Sequence, residues 1–285
     1  MSIGRKNWQH KLGKKPARPE AIKFALASYV NLELPKPPAS FRHRDPPEWN
    51  DFGNSQYGNC VLAGAANETS LWEHEGGKPT PPFTTSDVVS DYSAVTGFDP
   101  ARADETDQGS DMGEVAEYRR ATGIVDSLGQ RHKIDAYARV KLKSMQHLRA
   151  AIWILGGVGL GFIFPDYAMK QFKAGVPWSV RSGWSFPKWV PEFISGDEGP
   201  AGHYVPAVGI AANGNIICVS WGREQEMAPE FYLKYADEVV AYLDIDRLKE
   251  RISPEGFDEK RLRRDMVAVA SGRVHSIKGW VTQVA

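Results

Sequence analysis

The sequence predicts an α+β fold, a helical lobe followed by a sheet lobe, from three features. Residues 60–123 carry apolar side chains at helical spacing, punctuated by capping residues and glycines. Residues 133–243 change period, to strand-like alternation and short apolar runs, with one amphipathic helix among them. Of the 285 residues 42% are hydrophobic and 25% are charged, the proportions of an ordinary soluble globular chain with a substantial core.

The elements follow in order. From Cys60, the residues Val61, Ala65, Thr69 and Trp72 recur at helical spacing, and Gly76-Gly77 closes that helix. Thr84-Thr85-Ser86-Asp87 offers N-caps for a second helix through Tyr92. Residues 111–121 form a third, ended by Gly123. Residues 133–142 alternate as a strand, 144–155 form an amphipathic helix stopped by Gly156, and 157–164 form an apolar strand. Strands 203–211 and 215–220 flank the hairpin turn Asn213-Gly214, and residues 231–243 continue the sheet. The domain reading is a basic extended arm over 1–33, with a short helix around 21–29, a folded domain over 34–243, and a helical extension over 244–285. Within the folded domain the helical lobe covers about 51–130 and the sheet lobe about 131–243.

Charge balances overall, 35 basic against 35 acidic residues, which argues against a general attraction to nucleic acid. It is unevenly placed. Residues 1–24 hold seven bases and one acid, and residues 87–117 hold nine acids and the single base Arg102. The arm is either solvated or docked on an acidic surface, its own or a neighbour's. No apolar run reaches the roughly eighteen residues of a membrane span, and the start has no apolar segment of the secretory type. Two cysteines, Cys60 and Cys218, do not make a disulfide scaffold, and a reduced cytoplasmic or virion-associated setting is expected.

Cys60 stands directly before a helix, where free N–H groups and the helix dipole favour a thiolate and can also receive an oxyanion. A buried structural cysteine is the alternative. His203, in Gly202-His203-Tyr204-Val205-Pro206, stands at the mouth of a strand. An imidazole beside a thiol lowers the thiol pKa and then serves as acid to the leaving group. The acids Asp99, Asp104, Glu105, Asp107 and Asp111 lack calcium-loop spacing and read as a solvated loop. Trp178, Trp184 and Trp189 either line a cleft before His203 or pack in the core. His43, His74, His132 and His147 lack ligand spacing and read as surface residues.

These motifs, in this order, resemble the papain-like cysteine peptidases. The resemblance runs over about 34–243: a crossing strand over 34–42, the nucleophile loop Gly53-Asn54-Ser55-Gln56-Tyr57-Gly58-Asn59-Cys60, the glycine-led segment 107–123, a helix and glycine-rich strand over 148–161, and Val219-Ser220-Trp221-Gly222, with Phe231-Tyr232-Leu233 as a following strand. Cys60 and His203 lie 143 positions apart, within the roughly 130–150 of papain-type enzymes. The nucleophile loop and the Val-Ser-Trp-Gly strand are most similar to an uncharacterised branch of bacteriophage and bacterial proteins. The resemblance implies that Cys60 is the nucleophile and His203 its base. It puts Asn54 at the oxyanion-donor position, six residues before the nucleophile, with Gln56 as the alternative donor. Two residues before Trp221, where the family has the asparagine that orients the imidazole, this chain has Val219. Ser220 is expected to face the other way, because strand side chains alternate.

Two functions follow. One is a papain-like cysteine peptidase or related amide-bond hydrolase acting on a peptide or protein substrate, with no cofactor and no metal. The arm, short, basic and proline-rich, is not expected to be an inhibitory segment. The other is a non-catalytic structural or interaction protein of the same fold, for instance a bacteriophage virion component, whose arm reaches another copy or another virion protein. No nucleic-acid or membrane partner is expected.

Overall fold

The computed structural model describes residues 10–22, 25, 37–43, 45–181 and 202–244. The expected helix over 21–29 lies largely outside these residues. The expected extension over 244–285 lies outside them but for Asp244, and Trp184 and Trp189 lie outside as well.

Helix α1 (Cys60–Glu75) is buried on every side from Cys60 to Trp72, as a helix passing through the middle of a protein must be. Most of its residues there are small or apolar, so neighbours can pack all round it; the buried Glu68 is the large polar exception. Gly64 allows the closest approach: a Cβ there would fall 2.3 Å from the Tyr204 ring. Helix α2 (Thr85–Thr96) starts with a reciprocal cap between Thr84 and Asp87 and stops at Gly97, whose φ is +76°. The short α3 (Ala103–Thr106) leads to α4 (Met112–Ala121), capped by the Asp111 carboxylate accepting the Glu114 N–H. These helices, with the two-stranded ribbon of β2 (Ile124–Val125) and β3 (Arg131–His132), make the expected helical lobe.

The sheet is antiparallel throughout, in the spatial order β4 (Ala136–Arg139), β9 (Ala236–Leu243), β5 (Val158–Ile163), β6 (Gly202–Ile210), β7 (Ile216–Ser220), β8 (Arg223–Met227). The short β1 (Phe41–Arg42) pairs with the far end of β6. Helix α5 (Met145–Leu155) is capped by Ser144 and ended by Gly156, and α6 (Asp166–Lys173) follows β5. Side-chain alternation splits the sheet between two cores. Val205, Ala207, Cys218, Val239 and Ala241 pack with α5 and α6, while Tyr204, Val208, Ile217, Val219 and Val240 pack with α1, α2 and α4.

Two expectations need correction. The stretch from Phe231 does not continue the sheet: α7 (Pro229–Tyr235) comes first, and the strand begins only at Ala236. Pro229 at the first helical position favours that turn, and Phe231, Tyr232 and Tyr235 bury one helical face rather than alternating. His43 is not on the surface. It is buried, with Nδ1 2.8 Å from Glu75 Oε1 and Nε2 2.9 Å from the Ile152 carbonyl.

The two lobes are tied by a buried polar network. Arg119 of α4 donates to Glu68 of α1 at 2.6 Å, and the Tyr204 hydroxyl of β6 donates to the other Glu68 oxygen at 2.6 Å. The Arg119 guanidinium also lies over the Tyr242 ring, 4.3 Å from its centroid. This network fixes β6, the strand that carries His203 near its start, against the helix that begins with Cys60. No helix among the described residues is long and apolar enough to cross a membrane.

Candidate functional site

Cys60 is the first residue of α1. The preceding Asn59 supplies no side-chain cap, because its amide is turned to donate to the Phe52 carbonyl at 2.9 Å. The first turn of α1 therefore has no side-chain cap, and the Val61 backbone N–H is directed at the Cys60 sulfur. The loop before the helix is held by Asp51, which accepts from both the N–H and the hydroxyl of Ser55, and by Asp107, which accepts the Gly58 N–H at 3.0 Å. Asp107 and its acidic neighbour Asp111 are thus structural acceptors, not members of a solvated loop.

His203 lies near the start of β6 and is fully buried. Its Nε2 is 2.8 Å from the Ser220 hydroxyl. Its ring stacks on Trp221, with centroids 4.2 Å apart and planes 12° apart, and its edges meet Phe162 and Phe164. Nδ1, equally buried, has no hydrogen-bond partner among the described residues.

The partner of the imidazole corrects the sequence reading. Ser220 faces His203, and Val219 faces the helical lobe. The reason is the same alternation that suggested the opposite. On β7 the even positions Ile216 and Cys218 share the face of Val205 and Ala207, so Ser220 falls on the His203 side. The next two residues, Trp221 (φ +45°) and Gly222 (φ +73°), form the two-residue turn between β7 and β8. Left-handed backbone at a tryptophan costs on the order of 1–3 kcal/mol and persists only where the surroundings hold it. Here the stack on His203 holds it, together with the indole N–H, which donates to the Lys11 carbonyl at 3.3 Å. Of the two alternatives for Trp178, the structure shows core packing: it is buried behind the imidazole, its indole N–H donating to the Ala168 carbonyl.

Asn54 is buried and, with Cys60, Tyr204, Ser220 and Trp221, lines a cavity of about 10 Å³, room for a single water. Its amide donates to the Tyr57 carbonyl at 3.2 Å and retains a second N–H. Gln56 is exposed and does not reach this cavity. The loop thus places Asn54, and not Gln56, in the lining that it shares with Cys60.

Both ionisable groups are held neutral. Burial pushes the Cys60 thiol up to about 11, against opposing effects of the backbone groups of Tyr204, Gly13 and Val61 and of the Lys14 charge. Burial pulls His203 down to about 3, and the neighbouring His10 adds to this. A thiolate–imidazolium pair is not the state of this site as it stands.

The arm takes part in enclosing the site. Residues 10–15 cross directly over the site. The His10 ring packs on Trp221 with centroids 5.1 Å apart, and its Nδ1 is 3.1 Å from the Ser55 hydroxyl. The Gly13 backbone hydrogen-bonds toward the Cys60 sulfur. The Lys14 N–H donates to the Gly202 carbonyl at 3.1 Å and the Ser110 N–H to the Gly13 carbonyl at 2.8 Å, so the arm bridges the two lobes. The arm is therefore not a free extension: its backbone is docked on both lobes across the site. Nothing in its composition required an amphipathic helix, because its backbone pairs with the lobes directly. Arg18 completes the docking on acidic Asp111 and Glu114 of its own chain.

The cysteine protease xylellain from Xylella fastidiosa overlaps 85% of this chain and 99% of its own, with a TM-score of 0.58 at 13% identity. The fold is papain-like. A mite-allergen structure (Blo t 1 and Der p 1) covers 79% of this chain and 81% of its own at 15% identity, with a TM-score of 0.49. The Carica candamarcensis cysteine protease CMS1MS2 in complex with E-64 covers 73% and 99% at 15% identity, with a TM-score of 0.46. Overlaps as low as these last two do not by themselves establish a shared fold. No protein-family model matches the sequence, and no curated protein matches it. Identities this low carry the fold and not the activity.

Proposed function

We propose that the chain is an amide-bond hydrolase of the cysteine peptidase type, with Cys60 as nucleophile and His203 as its base. The observation that carries this reading is the imidazole: Nε2 is held by Ser220, and Nδ1 is left buried and unpaired beside the strand residue, Tyr204, whose backbone reaches the Cys60 thiol. Buried ring nitrogens are ordinarily hydrogen-bonded, so the unpaired one is the candidate for proton transfer.

In the proposed reaction Ser220 accepts the Nε2–H, which leaves Nδ1 as the lone-pair nitrogen. Nδ1 takes the thiol proton as the sulfur attacks the substrate carbonyl carbon. The carbonyl oxygen gains the negative charge and is stabilised by the Cys60 N–H and the second Asn54 amide N–H. The tetrahedral species collapses, the C–N bond breaks, and the imidazolium returns its proton to the departing amine. Water, deprotonated by Nδ1, then attacks the thioester and releases the acid and the free thiol. Every step uses groups of this chain and water. Ser220 does the orienting work of the family's asparagine from the neighbouring position.

Incubating the purified chain with peptide mixtures and following cleavage by mass spectrometry tests this. Cleavage that falls about a thousandfold or more in both Cys60→Ala and His203→Ala supports it. Cleavage that survives either substitution contradicts it.

The competing reading is a non-catalytic assembly protein, such as a component of a bacteriophage virion. It is favoured by Val219 at the asparagine position and by the neutral pair under the docked arm. Removing the arm separates the two readings, because only the hydrolase gains a reactive thiol.

A further inference from the structure

Two features of the arm go beyond its covering the thiol. Lys14 has a fully buried side chain. It runs over Gly161 of β5, where a Cβ would fall 2.2 Å from Lys14 Cε and 2.7 Å from Met112 Sδ. The ammonium donates to Asp237 Oδ2 at 2.9 Å and to the Lys15 carbonyl at 3.0 Å, and lies 3.8 Å from Glu238 Oε2. A buried lysine held this way marks a built cation pocket, since an ammonium leaves water only for charged or well-aligned acceptors. Burial pushes the Glu238 carboxyl up to about 7, with the Lys14 charge opposing it, so without a cation the pocket would hold crowded, poorly solvated acids. Asp237 Oδ1 is buried and has no partner among the described residues, so the pocket has acceptor capacity that Lys14 does not use.

The second feature is Gly13. A Cβ there would lie 1.8 Å from the Gly58 carbonyl oxygen, and a Cβ on Gly109 would lie 2.2 Å from the Gly13 carbonyl oxygen. The passage beside Cys60 is walled by backbone on both sides and admits a chain only where it lacks a side chain. Gly13 and Lys14 together satisfy a narrow gate and a charged pocket one residue apart.

We propose that residues 10–15 are an internal occupant of the substrate groove, and that the groove selects chains with a glycine beside Cys60 and a basic side chain in the pocket of Asp237 and Glu238. This rests on the reading of Cys60 as the nucleophile, but its test is of binding and needs no turnover. The same contacts make the docked arm an inhibitor in cis, displaced when a matching chain competes for the groove.

The test uses the full chain carrying Gly13→Val, which cannot pass the Gly58 wall and so expels the arm. Lys14→Ala serves as a second route to the same state, and circular dichroism checks that each variant is folded. A fluorescein-labelled peptide of residues 8–18 is titrated and followed by anisotropy, beside two analogues: norleucine for Lys14 and valine for Gly13. The native peptide should bind, each analogue at least about tenfold more weakly, and Asp237→Asn should abolish the preference for lysine over norleucine. Equal binding of the norleucine analogue, or no peptide binding by either folded variant, overturns the proposal. If the native peptide binds selectively but no amide is ever cleaved, the selectivity stands and the hydrolase reading falls. Cleavage with no preference for glycine or lysine sinks this inference alone.

Discussion

Protonating His203 must cost folding free energy, and the cost can be read from its surroundings. The ring is fully buried between Trp221, Phe162 and Phe164, and its pKa falls from the ordinary 6.5 to about 3 through burial, with the nearby His10 adding to the effect. The unfolded chain therefore takes up a proton near pH 6.5 that the folded chain refuses until about pH 3. The sign follows directly: stability is fully present above pH 6.5 and is lost as pH falls from 6.5 toward 3. A difference of about 3.5 units at about 1.4 kcal/mol each gives a total on the order of 5 kcal/mol, with a slope of about 1.4 kcal/mol per pH unit between pH 6 and 4. Other groups titrate in the same window, since His10 and His147 are also lowered by burial. The assay is therefore a difference: urea unfolding of the native chain and of His203→Gln, at half-unit pH steps from 7.5 to 4. The native chain should lose about 1.4 kcal/mol more per pH unit than the variant. Parallel pH profiles would refute a buried, neutral His203 and with it the geometry of the whole site.

Three further outcomes are expected. With the arm docked, the Cys60 thiol lies at about 11 against an ordinary 9.0, so its thiolate population at pH 7 should be about a hundredfold below that of a free thiol; iodoacetamide labelling mapped by mass spectrometry should be slow in the native chain and much faster in Gly13→Val. Glu68→Ala leaves Arg119 buried without its carboxylate and Tyr204 without its acceptor, and should destabilise the chain by about 3–5 kcal/mol in urea unfolding. Ser220→Ala removes the hydroxyl from a buried imidazole nitrogen, at about 1–3 kcal/mol of stability; Ser220→Thr should recover most of that loss.

Much of the fold was legible because its elements announce themselves locally. Gly97, Gly123 and Gly156 each stop a helix or its final turn in left-handed backbone, and Asn213-Gly214 turns β6 into β7. The pairing of Cys60 with a helix start and His203 with a strand start was readable in the same way. What was not legible depended on phase and on distant contacts. Ser220 was assigned to the wrong face because strand alternation gives two faces but does not say which one meets His203, and only the pairing of β7 with β6 decides that. The run from Phe231 has strand-like composition, yet Pro229 and the burial of Tyr232 and Tyr235 make it a helix. The arm's docking was half legible. Its basic excess pointed to an acidic surface, but that Lys14 would enter a pocket floored by residues more than two hundred positions away is not written in the arm. Gly13 carries no sequence signal of its own, and its meaning comes wholly from the Gly58 backbone it meets.

On the proposed function, His203 makes Cys60 a nucleophile once the arm leaves the groove. This is tested most directly by treating the Gly13→Val chain with a peptidyl vinyl sulfone at pH 7 and locating the adduct by intact-mass and peptide mapping. One adduct is expected, on Cys60 and not on Cys218, formed at least about a hundredfold faster than in the Gly13→Val/His203→Ala chain. Labelling of Cys60 at the same rate with and without His203 would contradict it.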